Sequence, residues 1–165
     1  QEGNAQSVKL EGGARTAPAI RRIVDAGIPV VGHVGLTPQS VHQFGGHKVQ
    51  GRDDAAARQV LEDAHAVADA GAFAIVLEGI PSPLARRITD ELSIPTIGIG
   101  ASRNCDGQVL VIYDLLGMDE RFCPKFLKKY DDFSGRVRAA VEGFAGEVRA
   151  GTFPGDEHAF SAVKR

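Results

Sequence analysis

The pattern P-x-x-R-R-I-x-D occurs twice, at Pro18–Asp25 and at Pro83–Asp90. Each copy is followed by Ile-Pro, at Ile28-Pro29 and Ile94-Pro95, and then by an apolar segment. A proline near the start of a helical pattern suits the first turn, and the apolar segment after the helix reads as a strand. A helix-then-strand unit repeated in this way is the signature of an α/β protein. The strands are apolar on both parities, most clearly in Ala72-Phe73-Ala74-Ile75-Val76-Leu77. Strands of that kind are buried on both faces, which points to parallel pairing.

This reading gives five strands. Val8-Lys9-Leu10-Glu11 is the first, stopped by Gly12-Gly13. Thr16 and Pro18 start a helix with Ile20, Ile23 and Val24 on its apolar face, and Gly27 ends it. The second strand runs from Ile28 through Val30, Val31 and Val34 and carries a lone imidazole, His33. Thr37 then reads as an N-cap with Pro38 at the first helical position, in a helix closed by Gly45-Gly46. A basic loop with His47, Lys48 and Arg52 leads to Asp53 or Asp54, either of which caps a long helix to about Ala70. Its buried stripe is Val60, Leu61, Ala64, Val67 and Ala68. The third strand is Ala72–Leu77, ending abruptly in Glu78, and a helix from Ser82 to Leu92 precedes the fourth, Ile94–Gly100. The fifth is read at Val109–Tyr113, ending at Asp114. Phe122 to Arg149 has helical spacing, and residues 152–165 look irregular. The whole, residues 1–165, is read as one domain.

Composition narrows the function classes. Hydrophobic residues make up 43% and charged residues 24%, the balance of a soluble globular chain. A net charge of -2 without a dense Lys/Arg block gives no electrostatic reason for nucleic acid. The apolar runs are far too short to span a bilayer. Cys105 and Cys123, the two cysteines, lack zinc-ligand spacing and suit free thiols in a reducing cytoplasm. The opening QEGNAQSVKL has no methionine and reads as a helix tail, so we expect the back part of a longer protein.

Helices alternating with parallel strands fit an open doubly wound sheet or part of a (β/α) barrel. No G-x-G-x-x-G opens a helix after a strand, which removes the main sign of a dinucleotide-binding sheet. A whole barrel takes roughly 250 residues, so this chain would be about two-thirds of one. In either architecture chemistry gathers at the carboxyl ends of strands. Lys9 and Glu11, two apart on a strand, project to one side, and as a plain pair they would be a solvated salt bridge. His33 alone would be a core histidine. Glu78, at the end of six apolar residues, either meets a partner or has a raised pKa, and both suit proton transfer.

Seven segments then carry a resemblance. VKLEGG at Val8–Gly13, GHVGLTPQS at Gly32–Ser40, FGGHKVQGR at Phe44–Arg52, LEGIP at Leu77–Pro81, GIGA at Gly98–Ala101, DGQVLV at Asp106–Val111 and FPGDEHAF at Phe153–Phe160 lie in order along the chain. Together they closely resemble the ketopantoate hydroxymethyltransferase family. The resemblance implies a (β/α)8 TIM barrel of the phosphoenolpyruvate/pyruvate type, here strands four to eight only. It implies a hydroxymethyl transfer from methylenetetrahydrofolate to α-ketoisovalerate, by enolate formation on magnesium, in pantothenate biosynthesis. It also implies a cytoplasmic homo-oligomer.

The resemblance assigns roles residue by residue. Lys9 matches a lysine that binds the keto acid, Glu11 a carboxylate at the magnesium, Glu78 the proton acceptor and His33 a histidine lining the same pocket. The remaining magnesium aspartates of the family lie on strands earlier than any in this chain. In GIGAS, Ser102 stands where the family more often has glycine, which would strain a turn needing positive φ. Two other readings share these residues: a magnesium-dependent keto-acid lyase of the phosphoenolpyruvate/pyruvate type, and a non-catalytic half-barrel partner subunit. The basic loop could meet folate glutamates through Lys48 or Arg52, or be a solvated loop or a subunit contact.

Overall fold

A computed structural model describes residues 3–40, 46 and 48–161. By contact density the chain divides into two compact units, Gln1–Leu110 and Val111–Arg165. The first holds β1 (Val8–Glu11), α1 (Ala17–Asp25), β2 (Val30–Gly35), α2 (Asp54–Asp69), β3 (Ala74–Glu78), α3 (Ser82–Glu91), β4 (Thr96–Ile99) and β5 (Gly107–Gln108). All strand pairs are parallel, and the spatial order is β1-β2-β3-β4-β5. Parallel neighbours need a crossover, which α1, α2 and α3 supply with their apolar stripes. Strand order never reverses among these five, so the described sheet has no topological switch point of the doubly wound kind.

Parity divides each strand. Val8 and Leu10, Val30 and Val34, Ile75 and Leu77, and Thr96 face the helices. There they join Ile20, Val60, Leu61, Ala64, Val67, Leu84, Ala85 and Ile88 in one core. Gly32 shares that face because α2 packs hard against β2: a Cβ there would lie 2.1 Å from Val67 Cγ1. The other parity carries Lys9 and Glu11, Val31 and His33, Val76 and Glu78, and Ile97 and Ile99. The residues expected to do chemistry therefore share the face opposite the helices, at its C-terminal end.

The starts of α1, α2 and α3 agree with the sequence, although Thr16 makes no side-chain cap bond. Asp53 caps α2 by accepting the Ala56 N–H at 2.8 Å, and its stripe of Val60, Leu61, Ala64 and Val67 is buried, with Ala68 half-buried. Thr16 caps no helical N–H; its hydroxyl donates back to Gly13 O at 2.9 Å. After β2 the structure shows a single 3-10 turn, Pro38–Ser40, and the helix expected on to Gly45 falls on residues 41–45, outside those described, as does His47. The second and third strands start two residues later than their apolar runs, leaving Ile28 and Phe73 exposed.

The fifth strand is corrected. Gly107 and Gln108 pair with Ile97 and Gly98, and Val109 N–H makes one further bond to Gly98 O. Beyond Ile99 β4 ends, with Gly100 at φ +61°, and after Val109 the backbone bonds locally, the Asp114 and Leu115 N–H groups both donating to Val111 O. Strand propensity without a partner does not make a strand. Val109, Val111, Ile112 and Tyr113 are exposed, and Ile112–Leu115 is a short helix, α4, in the second unit.

At the foot of β4 a polar knot replaces apolar packing. The Asp106 carboxylate accepts both the Thr96 N–H at 2.8 Å and the Thr96 hydroxyl at 3.0 Å, and Thr96 shares a 2.8 Å bond with Thr89. The Thr96 backbone N–H, helped by its hydroxyl, holds the Asp106 carboxyl below its ordinary value. A carboxylate with a lowered folded pKa contributes stability above its unfolded pKa, about 3.9, and that contribution is lost as pH falls through the folded value. We expect the urea midpoint to drop between about pH 6 and about pH 3 less steeply in Asp106→Asn than in the unsubstituted protein. Identical acid limbs would show that Asp106 contributes nothing to acid sensitivity.

In the second unit, α5 spans Phe133–Ala150. The helical pattern starting at Phe122 is shortened because Asp132 sets the cap, accepting the Gly135 N–H at 3.1 Å. No residue of α5 is buried, and Phe153 stacks edge-on against Phe144 with centroids 5.4 Å apart. Cys105 and Cys123 are free thiols, one buried and one exposed. No helix among the described residues is long and apolar enough to cross a membrane.

Candidate active site

Three neighbouring strands deliver one titratable group each to the C-terminal end of the sheet. Glu11 closes β1 and lies opposite His33 of β2, and Glu78 closes β3 opposite Gly35. Because Gly35 is two residues beyond His33, Glu78 and His33 keep the same parity and lean to the same side. The His33 ring is 1% exposed. Its Nε2 lies 3.1 Å from Glu78 Oε2 and its Nδ1 lies 3.7 Å from Glu11 Oε1. Both carboxylates are largely covered, at 10% and 18% side-chain exposure.

Neither ring nitrogen of His33 completes a hydrogen bond among the described residues, although Nε2 lies within reach of Glu78. An unsatisfied buried polar group costs about 1–3 kcal/mol. A core histidine kept only for packing would not carry that cost between two acids, so the plain structural reading of His33 is the poorer one. Glu78 lies across the sheet from the His33 ring, at 3.1 Å. Local backbone explains how it gets there. Leu36 N–H donates to Glu78 O at 2.8 Å, and a Cβ on Gly35, at φ +91°, would lie 2.3 Å from that same oxygen. Only glycine lets β2 pass Glu78 so closely.

Glu11 is held by a group that sequence reasoning missed. The Gln39 N–H, in the turn after β2, donates to Glu11 Oε2 at 3.0 Å. The G-L-T-P-Q run signals a turn there, but nothing in it names Glu11 as the acceptor. Lys9 is exposed, two residues before Glu11 on the same face, and no ion pair joins the two. Among the described residues Lys9 forms no salt bridge. Among the described residues no group of three or more His, Cys, Asp or Glu could hold a metal ion. Glu11 offers one hard oxygen donor, the type magnesium prefers, which makes it a fitting single ligand but not a site.

Ser102 is also placed differently from expectation. Asn4 is the one non-glycine residue with positive φ among those described, so the serine in GIGAS strains no left-handed turn. Its side chain is buried and bonded to Ser82 instead. Lys48 and Arg52 are both exposed.

The family profile described as ketopantoate hydroxymethyltransferase matches residues 1–156. The 3-methyl-2-oxobutanoate hydroxymethyltransferase of Trichlorobacter lovleyi is 61% identical over 98% of this chain and 60% of its own length. Those of Syntrophus aciditrophicus and Heliobacterium modesticaldum are 59% and 58% identical, each over 97% of this chain and over 59% and 58% of their own length. The chain thus spans about three fifths of the length of the curated relatives it matches.

Proposed function

The chain belongs to the ketopantoate hydroxymethyltransferase family, and on that premise we propose that the natural protein adds a hydroxymethyl group from methylenetetrahydrofolate to α-ketoisovalerate. The observation that carries this reading is His33, buried and unsatisfied between Glu11 and Glu78. Removing a proton from the carbon beside a ketone needs a base, a place for the enolate's negative charge and a site shielded from water. Glu78 is the base, taking the C–H proton on its carboxylate. Lys9 binds the keto acid and places positive charge beside the developing enolate oxygen. His33 lines the pocket, with Nε2 3.1 Å from Glu78 Oε2. The substrate carbanion then forms the C–C bond to the folate's one-carbon unit. Water supplies the hydroxyl oxygen, and both C–N bonds to that carbon break, with protons returning to the nitrogens so that tetrahydrofolate leaves.

Glu11 would be one oxygen ligand of magnesium, which when bound would draw electrons from the keto group and make the neighbouring C–H more acidic. The sequential parallel order of the five strands supports a (β/α) barrel of the phosphoenolpyruvate/pyruvate type, with this site at its C-terminal mouth. Lys48 or Arg52 would meet the folate's glutamate carboxylates, and the protein would work as a cytoplasmic homo-oligomer.

Assay of the natural protein tests the transfer. We expect α-ketoisovalerate to be consumed only when methylenetetrahydrofolate is present, with one ketopantoate formed per folate turned over. Consumption of the keto acid without folate would favour a lyase and overturn the transferase reading.

A further inference from the structure

Glu78 must point reproducibly at one carbon, yet it stands at the last position of a strand, where the chain leaves the sheet. Gly79, at φ +57°, makes the turn, and the chain enters α3 at Ser82. The backbone of this turn is held on both sides. Gly79 N–H donates to Ile99 O at 2.9 Å, and Gly79 O accepts the Gln50 N–H at 2.9 Å. Its far end is held by a side chain. The hydroxyls of Ser82 and Ser102 share a 2.9 Å hydrogen bond, and it is the side-chain bond that joins the loop after β3 to the loop after β4 among the described residues.

Ser102 is itself fixed from two more directions. Its hydroxyl accepts the Asn104 N–H at 3.0 Å, and its carbonyl accepts the Gln108 amide at 2.6 Å. A buried hydroxyl with this many partners is a rigid post. A glycine at the same position would leave Ser82 without this partner and the turn after Glu78 held only by backbone.

Resting on the function proposed above, we infer that Ser102 is a positioning residue for the proton-transfer step, acting through Ser82 on the turn that aims Glu78. It touches neither substrate nor the reacting atoms. Displacement of a catalytic group by about 1 Å can cost on the order of 10²-fold in rate, so loss of one tie is expected to cost about tenfold.

The test uses the natural protein and its Ser102→Ala, Ser82→Ala, double and Ser102→Thr variants. Exchange of the α-ketoisovalerate C–H into deuterated buffer without folate isolates proton transfer. Exchange kcat should fall about tenfold in either alanine variant, with keto-acid KM changed less than about twofold. The double variant should be no slower than the singles, because both remove the same bond, and Ser102→Thr should restore the rate. Thermal melting of each variant separates this from a merely structural role. A lowered Tm with unchanged exchange kcat would overturn the inference, as would additive losses or failure of the threonine to rescue. If Ser102→Ala does not fold, Ser82→Ala at wild-type exchange rate overturns it equally. Lack of exchange in the unsubstituted protein would instead overturn the functional reading itself.

Discussion

Glu78→Gln in the natural protein should lower turnover by roughly 10²–10⁴-fold, the range for loss of a positioned general base. The amide keeps the side chain's shape and its place 3.1 Å from His33 Nε2, but it cannot accept the substrate proton at neutral pH. Keto-acid binding should survive better than turnover, because Lys9 is untouched. Two measurements separate these effects: the equilibrium affinity for α-ketoisovalerate, and the exchange of its C–H proton in deuterated buffer without folate. Exchange at the wild-type rate would remove Glu78 from the base role and leave His33 as the next candidate, since its ring is buried with both nitrogens unsatisfied.

Leu77→Ala should destabilise the fold by about 2–5 kcal/mol, the usual cost of truncating a fully buried leucine. Leu77 is wholly buried on the helix-facing side of β3, one residue before Glu78 and on the opposite parity. The substitution therefore opens a cavity between sheet and helices without altering any group on the chemical face. A urea titration should show a lower midpoint with little change in slope. Activity per folded molecule should stay near that of the unsubstituted protein. A loss of stability under about 1 kcal/mol would mean that this face collapses onto the space left by the side chain, and that β3 is not the centre of the packing.

The two substitutions are adjacent in sequence and opposite in consequence, which reflects the period of two along a strand. That period was legible without coordinates. The repeated P-x-x-R-R-I-x-D pattern and the doubly apolar strands implied parallel crossovers, and the parallel order agrees. Lys9, Glu11, His33 and Glu78 stood out as polar groups at or near the ends of apolar strands. Such features are local: a run of β-branched residues, a proline at a helix start and a change of polarity are properties of a few neighbouring residues.

What the sequence by itself determined, then, is that apolar strands alternate with helices and pair in parallel, and that Lys9 and Glu11 share a parity. Tertiary structure alone decided the rest. The seating of His33 between two carboxylates depends on the register of three strands, and register is set by hydrogen bonds between segments far apart in the chain. The close passage at Gly35, the Gln39 N–H on Glu11 and the Ser82–Ser102 bond likewise join residues that no local pattern connects. The apolar run at 109–113 shows the same rule from the other side. Its composition favours a strand, but β4 ends at Ile99, and after Val109 the backbone satisfies itself locally, with the Asp114 and Leu115 N–H groups donating to Val111 O.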